Sequence, residues 1–206
     1  MYKDIIEKYK EKYAQEDIVA ETSAYIINNK TIDDYLKLPD DERYELIDGT
    51  LYKMESPSFD HQRFAGLIYV TLQNYVLANK GSCIPMISPA DVQLDCDDKT
   101  MVQPDVYVIC DKKKITKPRV VGAPDMTIEV LSPTNRYHDM VRKLAKYKNA
   151  GVREYWIVDP EQKKIYAFFF ERSDEPEIYT FDDEVPVEIW EGKCKVDFQW
   201  LSQQIY

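Results

Sequence analysis

Asp105 stands in QPDV, and 24 residues later Glu129 stands in TIEVLSP, each beside a short run of branched apolar residues that predicts a strand. If those strands are neighbours in a sheet, the two carboxylates converge on one side of it. Paired oxygen donors of this kind suit Mg²⁺ or Mn²⁺. An ion held there would polarise a phosphoryl oxygen and lower the pKa of an attacking water, which is the chemistry of phosphodiester hydrolysis. The bland alternative is a turn aspartate after Pro104 and an exposed edge-strand glutamate. Strand adjacency decides between them.

The elements that must position these residues can be read along the chain. Residues 1 to about 19 predict a polar helix with a thin stripe of Ile5, Ile6, Tyr9 and Tyr13. Thr31-x-x-Asp34 resembles a capping box and opens a short helix that ends by Pro39. YELIDGTLYKM predicts a hairpin turning at Asp48-Gly49. The longest helix is expected over about 61–79, where Phe64, Leu67, Ile68, Leu72, Tyr75 and Val76 recur at helical spacing.

Strands follow at about 84–94, 105–110 and 126–131, then a helix over about 139–150 and a strand at 155–158. The resulting α-β-β-β-α-β order predicts a meander joined to one parallel crossover. IYAFFF, EIYTF and VEIW are expected to extend the sheet. With no internal repeat or low-complexity linker, the 206 residues predict one domain: a helical extension over 1–40, a core over 41–160 and a strand extension over 161–206.

Composition bounds the partners. With 44% hydrophobic residues the chain can bury an ordinary core, and no apolar run of about 18 residues predicts a membrane span. The charged amino terminus has no apolar leader, so the expectation is a soluble, cytoplasmic protein. Cys83, Cys96, Cys110 and Cys194 are scattered, without C-x-x-C pairs or clustered histidines, and read as idle thiols in a reducing compartment. The net charge of −10 argues against a nucleic-acid partner, but residues 111–153 carry a local +7 against −17 elsewhere, and that basic segment brackets Glu129.

P-D-V followed by I-E-V resembles the PD-(D/E)-x-K signature of restriction-endonuclease-like nucleases. YELIDG, HQR, QPDV, IEVLSP, the D-x-x-x-K-x-x-x-Y run from Asp139 to Tyr147, and GVREYWIVDP together resemble, in matching order, the bacterial Uma-type family of restriction-endonuclease-like proteins. The resemblance implies an α/β (α+β) restriction-endonuclease-like core, a mixed central sheet flanked by helices. It also implies a Mg²⁺- or Mn²⁺-dependent endonuclease acting on nucleic acid, with DNA the expected polymer.

In the general signature a lysine falls two residues after the acid, where this chain has Leu131. The residue matching the Uma-type lysine is Lys143, on the following helix. Asp139, Lys143 and Tyr147 lie four apart, and Lys143 could reach the carboxylates to orient water or stabilise phosphoryl charge. Glu45 matches the family's hairpin glutamate and His61 its helix-opening histidine. Asp105, Glu129 and Lys143 are thus the candidate catalytic residues, Asp105 and Glu129 the candidate metal ligands, and Glu45 and His61 additional site residues. Trp156, in GVREYWIVDP, is expected in the core.

Cutting both strands of a duplex is often done with two active sites, so a homodimer is the expected assembly. A non-catalytic nucleic-acid or protein interaction module on the same fold is the alternative, motivated by the missing strand lysine and the acidic net charge. A structural subunit assembled through the amino-terminal helix is a third reading.

Overall fold

The structure, a computed structural model, describes residues 29–39, 41–94, 97–132 and 138–205. The helix expected over residues 1 to 19 lies outside them, as does Cys96.

Helix α1 (Ile32–Tyr35) begins with the capping box: the Thr31 hydroxyl accepts from the Asp34 amide, and the Asp34 carboxylate accepts from the Thr31 amide. Strands β1 (Tyr44–Ile47) and β2 (Thr50–Lys53) form the hairpin. Its two turn residues, Asp48 at φ 52° and Gly49 at φ 77°, both occupy the left-handed region that an Asp-Gly pair tolerates. Helix α2 (Phe59–Ala78) follows, capped by Ser58, and buries His61, Phe64, Ala65, Ile68, Leu72 and Val76 along one face.

Strands β3 (Ile84–Ile87), β4 (Val92–Gln93), β5 (Met101–Val102), β6 (Val106–Ile109), β7 (Val120–Val121) and β8 (Met126–Val130) come next. A π-helix (His138–Lys143) runs into α3 (Leu144–Ala150), followed by β9 (Glu154–Asp159), β10 (Lys164–Phe169) and β11 (Glu177–Thr180). The chain closes with β12 (Glu184–Val187), β13 (Cys194–Asp197) and α4 (Phe198–Ser202).

The main sheet has the order β11-β10-β9-β8-β6-β3. Strands β3, β6 and β8 are the antiparallel meander, and β8 to β9 is the parallel step across the π-helix and α3. Taken with α2, these elements make the expected α-β-β-β-α-β core. A second sheet, β2-β1-β5-β4-β7, joins the hairpin to the two-residue strands inserted between the core strands.

The period-2 alternation of β6 sorts its side chains between two cores. Val106 and Val108 meet Phe64, Ile68 and Leu72 of α2, together with Trp156 from β9. Tyr107 and Ile109 face the other way, toward Leu144 and Tyr147 of α3 and Ile47 of the hairpin. Ile68 and Leu72 are fully buried, each contributing about 1.5–3 kcal/mol.

Four expectations are corrected. The strand expected over about 84–94 is split, with β3 in the main sheet and β4 in the second. VEIW does not extend the main sheet: among the described residues β12 pairs only with β13, and Glu188–Trp190 is a 3-10 turn. The helix expected from Asp139 opens as a π-helix and becomes α only at Leu144. Cys83 and Cys110 are not idle thiols but form a disulfide with an S–S distance of 2.07 Å. The antiparallel register explains the pairing, since Ile84 faces Ile109 and the two cysteines are the next facing pair. Cys194 is a free, buried thiol whose pKa burial pushes up to about 11.

Candidate active site

Val106 faces Ile128 across the β6–β8 ladder, so one step further the register sets Asp105 opposite Glu129. Glu129 shares its sheet face with Thr127, which pairs with Tyr107, and Asp105 has the parity of Tyr107. Both carboxylates therefore belong to the face covered by α3 and the hairpin. Their backbones lock the arrangement: the Asp105 amide donates to Glu129 Oε2 at 3.3 Å, and the Val130 amide donates to Asp105 Oδ2 at 2.8 Å.

Each flanking element delivers one partner. From α2, whose first turn is capped by Ser58, His61 Nε2 lies 3.0 Å from Asp105 Oδ2. At the end of the π-helix, Lys143 Nζ lies 3.1 Å from Glu129 Oε1 and 3.0 Å from Glu45 Oε1. Glu45, on β1, also accepts from the Gln103 amide at 2.8 Å. One helical turn beyond Lys143, the Tyr147 hydroxyl donates to Glu129 Oε1 at 2.6 Å. Burial, then the Glu129 carboxylate, holds the Tyr147 phenol well above its ordinary pKa, so it stays a donor.

All five residues singled out from the sequence thus fall into one connected cluster. Glu45, His61, Glu129 and Lys143 are each less than a tenth exposed. Lys143 bridges two of the carboxylates, Glu45 and Glu129, while the third, Asp105, contacts His61.

The cluster has a buried floor and an accessible side. Asp105 and His61 line a cavity of about 180 Å³ together with Arg43, Ser58, Ser88 and Ser132. Both hydrogen-bond contacts of the Asp105 side chain fall on Oδ2. Oδ1 takes no part in either contact. Among the described residues, no three His, Cys, Asp or Glu side chains form a metal cage by themselves. Mg²⁺ characteristically takes one or two carboxylates and keeps several waters, so the Asp105–Glu129 pair fits that ion and not a closed zinc cage.

Besides Tyr147, two positions were not singled out from the sequence as site residues. Gln103 holds Glu45 with its amide and Arg43 with its side chain, accepting from Arg43 Nε at 3.0 Å and Nη2 at 2.8 Å. Arg43 and Gln103 stand 60 residues apart, and only the pairing of β1 with β5 brings them together. The side chain of Asp139 lies outside the described residues.

The mixed sheet, the helix on each face and the carboxylates facing each other across two antiparallel strands define a nuclease-like fold. The fold is shared with a crystal structure of a "putative nuclease belonging to DUF820" from Anabaena variabilis, at a TM-score of 0.70 and 20% identity, covering 84% of this chain and 97% of that one. Residues 32–193 match the Uma2 family model, described as "Putative restriction endonuclease", and the chain belongs to that family. It is also 26% identical over 125 residues to the uncharacterized protein slr1290 of Synechocystis sp., a match covering 60% of this chain and 64% of that relative. Among the described residues no helix is long and apolar enough to cross a membrane.

Proposed function

We propose that this chain is a metal-dependent nuclease that hydrolyses phosphodiester bonds in nucleic acid, with DNA the expected polymer and Asp105 and Glu129 holding Mg²⁺ or Mn²⁺. The observation that carries this reading is the facing of Asp105, at the wall of a cavity, and buried Glu129 across β6 and β8, backed by a buried lysine. A divalent ion at such a site supplies Lewis acidity and a water of lowered pKa. The protein's own residues do the rest. His61 and the Val130 amide hold Asp105 through Oδ2. Lys143 bridges Glu45 and Glu129, and its charge would help stabilise charge developing on a phosphoryl group. Tyr147 fixes Glu129 from below.

The test is cleavage of plasmid DNA and of single-stranded DNA and RNA with Mg²⁺ or Mn²⁺ by wild type, Asp105→Asn and Glu129→Gln. Both variants should retain wild-type circular dichroism and lose at least about a hundredfold in rate. Undiminished cleavage by either folded variant would remove its residue from the mechanism.

The second reading is a non-catalytic interaction module. It is favoured by the net charge of −10 and by Leu131, buried in the core where the general signature has its lysine. Metal binding with no turnover of any of these polymers would select it.

A further inference from the structure

Arg43 is half-buried at the start of the hairpin and lines the same cavity as Asp105 and His61. Its hydrogen-bond partners are all neutral: Nε and Nη2 donate to Gln103 Oε1, and Nη2 also donates to Ser88 Oγ at 3.0 Å. A guanidinium withdrawn from water is ordinarily paired with a carboxylate, because leaving its charge uncompensated is costly. Among the described residues no carboxylate forms an ion pair with Arg43.

Nor is the side chain loosely held. Gln103 receives the fork with its carbonyl oxygen, which fixes the orientation of its amide. The Gln103 amide nitrogen in turn donates to Asp91 Oδ1 at 2.9 Å and to the Tyr35 hydroxyl at 3.2 Å, while the Tyr35 hydroxyl donates to Asp91 at 2.8 Å. Three elements, α1, the residue before β4 and the residue after β5, therefore hold one cationic plane in place at a cavity wall. The remaining amino group, Nη1, makes no hydrogen bond among the described residues.

We propose that Arg43 is the phosphate-binding residue of this cavity, gripping a non-bridging oxygen of a nucleic-acid backbone phosphate beside Asp105. The inference rests on the nuclease reading for its substrate class. It adds the group that neutralises an anion at a site otherwise dominated by carboxylates. With Nε and Nη2 engaged by Gln103 and Ser88, Nη1 is the donor left to meet a phosphate oxygen in a charge-assisted hydrogen bond. The three serines around the cavity, Ser58, Ser88 and Ser132, supply neutral hydroxyls beside it. Gln103 acts as the positioning residue. Phosphate contacts of this kind set register and carry no sequence information, so Arg43 would act on any base sequence alike.

The experiment measures binding of inorganic phosphate by calorimetry, of a DNA oligonucleotide by fluorescence anisotropy with Ca²⁺ as the ion, and of Mn²⁺ alone. It uses full-length wild type, Arg43→Gln and Arg43→Lys, with folding checked by circular dichroism. Arg43→Gln is expected to weaken phosphate and oligonucleotide binding at least about tenfold without weakening Mn²⁺ binding. Arg43→Lys, which keeps the charge but loses the plane held by Gln103, should fall between, and it decides the matter if the glutamine variant fails to fold. Wild-type phosphate affinity in either folded variant, or no phosphate binding by the wild type, would overturn the inference. Loss of phosphate binding with oligonucleotide binding intact would overturn the assignment to backbone phosphate. A wild type that binds phosphate through Arg43 but neither binds Mn²⁺ nor cuts nucleic acid would sink the nuclease reading and leave this one standing.

Discussion

Replacing Lys143 with methionine removes one buried ammonium while keeping most of the side-chain volume, so the effect is electrostatic rather than a cavity. Nζ lies 3.0 Å from Glu45 and 3.1 Å from Glu129, which puts the two accepting oxygens no more than about 6 Å apart. Without the lysine, two carboxylates at that distance repel by about 3 kcal/mol at an effective dielectric constant near 20. Both also lose a charge-assisted partner in a site less than a tenth exposed. Breaking a buried pair by deleting one member costs about 3–5 kcal/mol, in line with the Coulomb figure. The assay is equilibrium urea unfolding followed by tryptophan fluorescence, which reports on buried Trp156. With a slope of about 2 kcal/mol per molar urea, the midpoint should fall by about 2 M at neutral pH. Adding Glu45→Gln to the variant should recover part of the loss, because it removes the repulsion. A loss under about 1 kcal/mol for Lys143→Met would refute the picture of a lysine compensating two ionised carboxylates.

Glu154 is buried at the start of β9, where Trp156 Nε1 and the Ile189 amide donate to it, and burial raises its pKa to about 7. Below about pH 4.5 it is protonated folded and unfolded alike; as pH rises the unfolded chain releases its proton first. Stability should therefore fall by on the order of 3 kcal/mol between about pH 4.5 and 7 and then level off. Glu154→Gln should flatten that segment of the stability–pH curve, and an unchanged slope would show that another group is responsible. Two glycines should respond in opposite directions to alanine. Gly66, inside α2 with nothing within 4 Å of an added methyl, should gain about 0.5–1 kcal/mol in thermal unfolding. Gly49, at φ +77° and with the Lys30 carbonyl 3.1 Å from where Cβ would sit, should lose at least about 1 kcal/mol in the same measurement.

What the sequence makes legible follows from how local each signal is. The Asp48-Gly49 turn is readable because two consecutive positive φ angles restrict the residue choice, and the Thr31–Asp34 cap because its bonds span three residues. Asp105 and Glu129 are readable as a pair because a short meander puts consecutive strands side by side. The role of Arg43 is not, since its partners are Gln103 and Ser88, distant in sequence and in no recognisable spacing. The second sheet escaped for a related reason: β4, β5 and β7 are two residues each, too short to show alternation, and they are built up one on another from the β1 edge, β5 on β1, β4 on β5 and β7 on β4. The Cys83–Cys110 bond depends on the β3–β6 register, which composition does not reveal. The π-helix likewise left no mark in the periodicity, because Lys143 and Tyr147 keep a four-residue spacing on either side of the transition.

The central claim is that Asp105 and Glu129 together hold a divalent ion. Titration calorimetry of Mn²⁺ into wild type, Asp105→Ala and Glu129→Ala, each shown by circular dichroism to be folded, tests it without a known substrate. The account predicts one site in the wild type and no measurable binding in either variant. Absence of binding by the wild type, or wild-type affinity in Asp105→Ala, would contradict it.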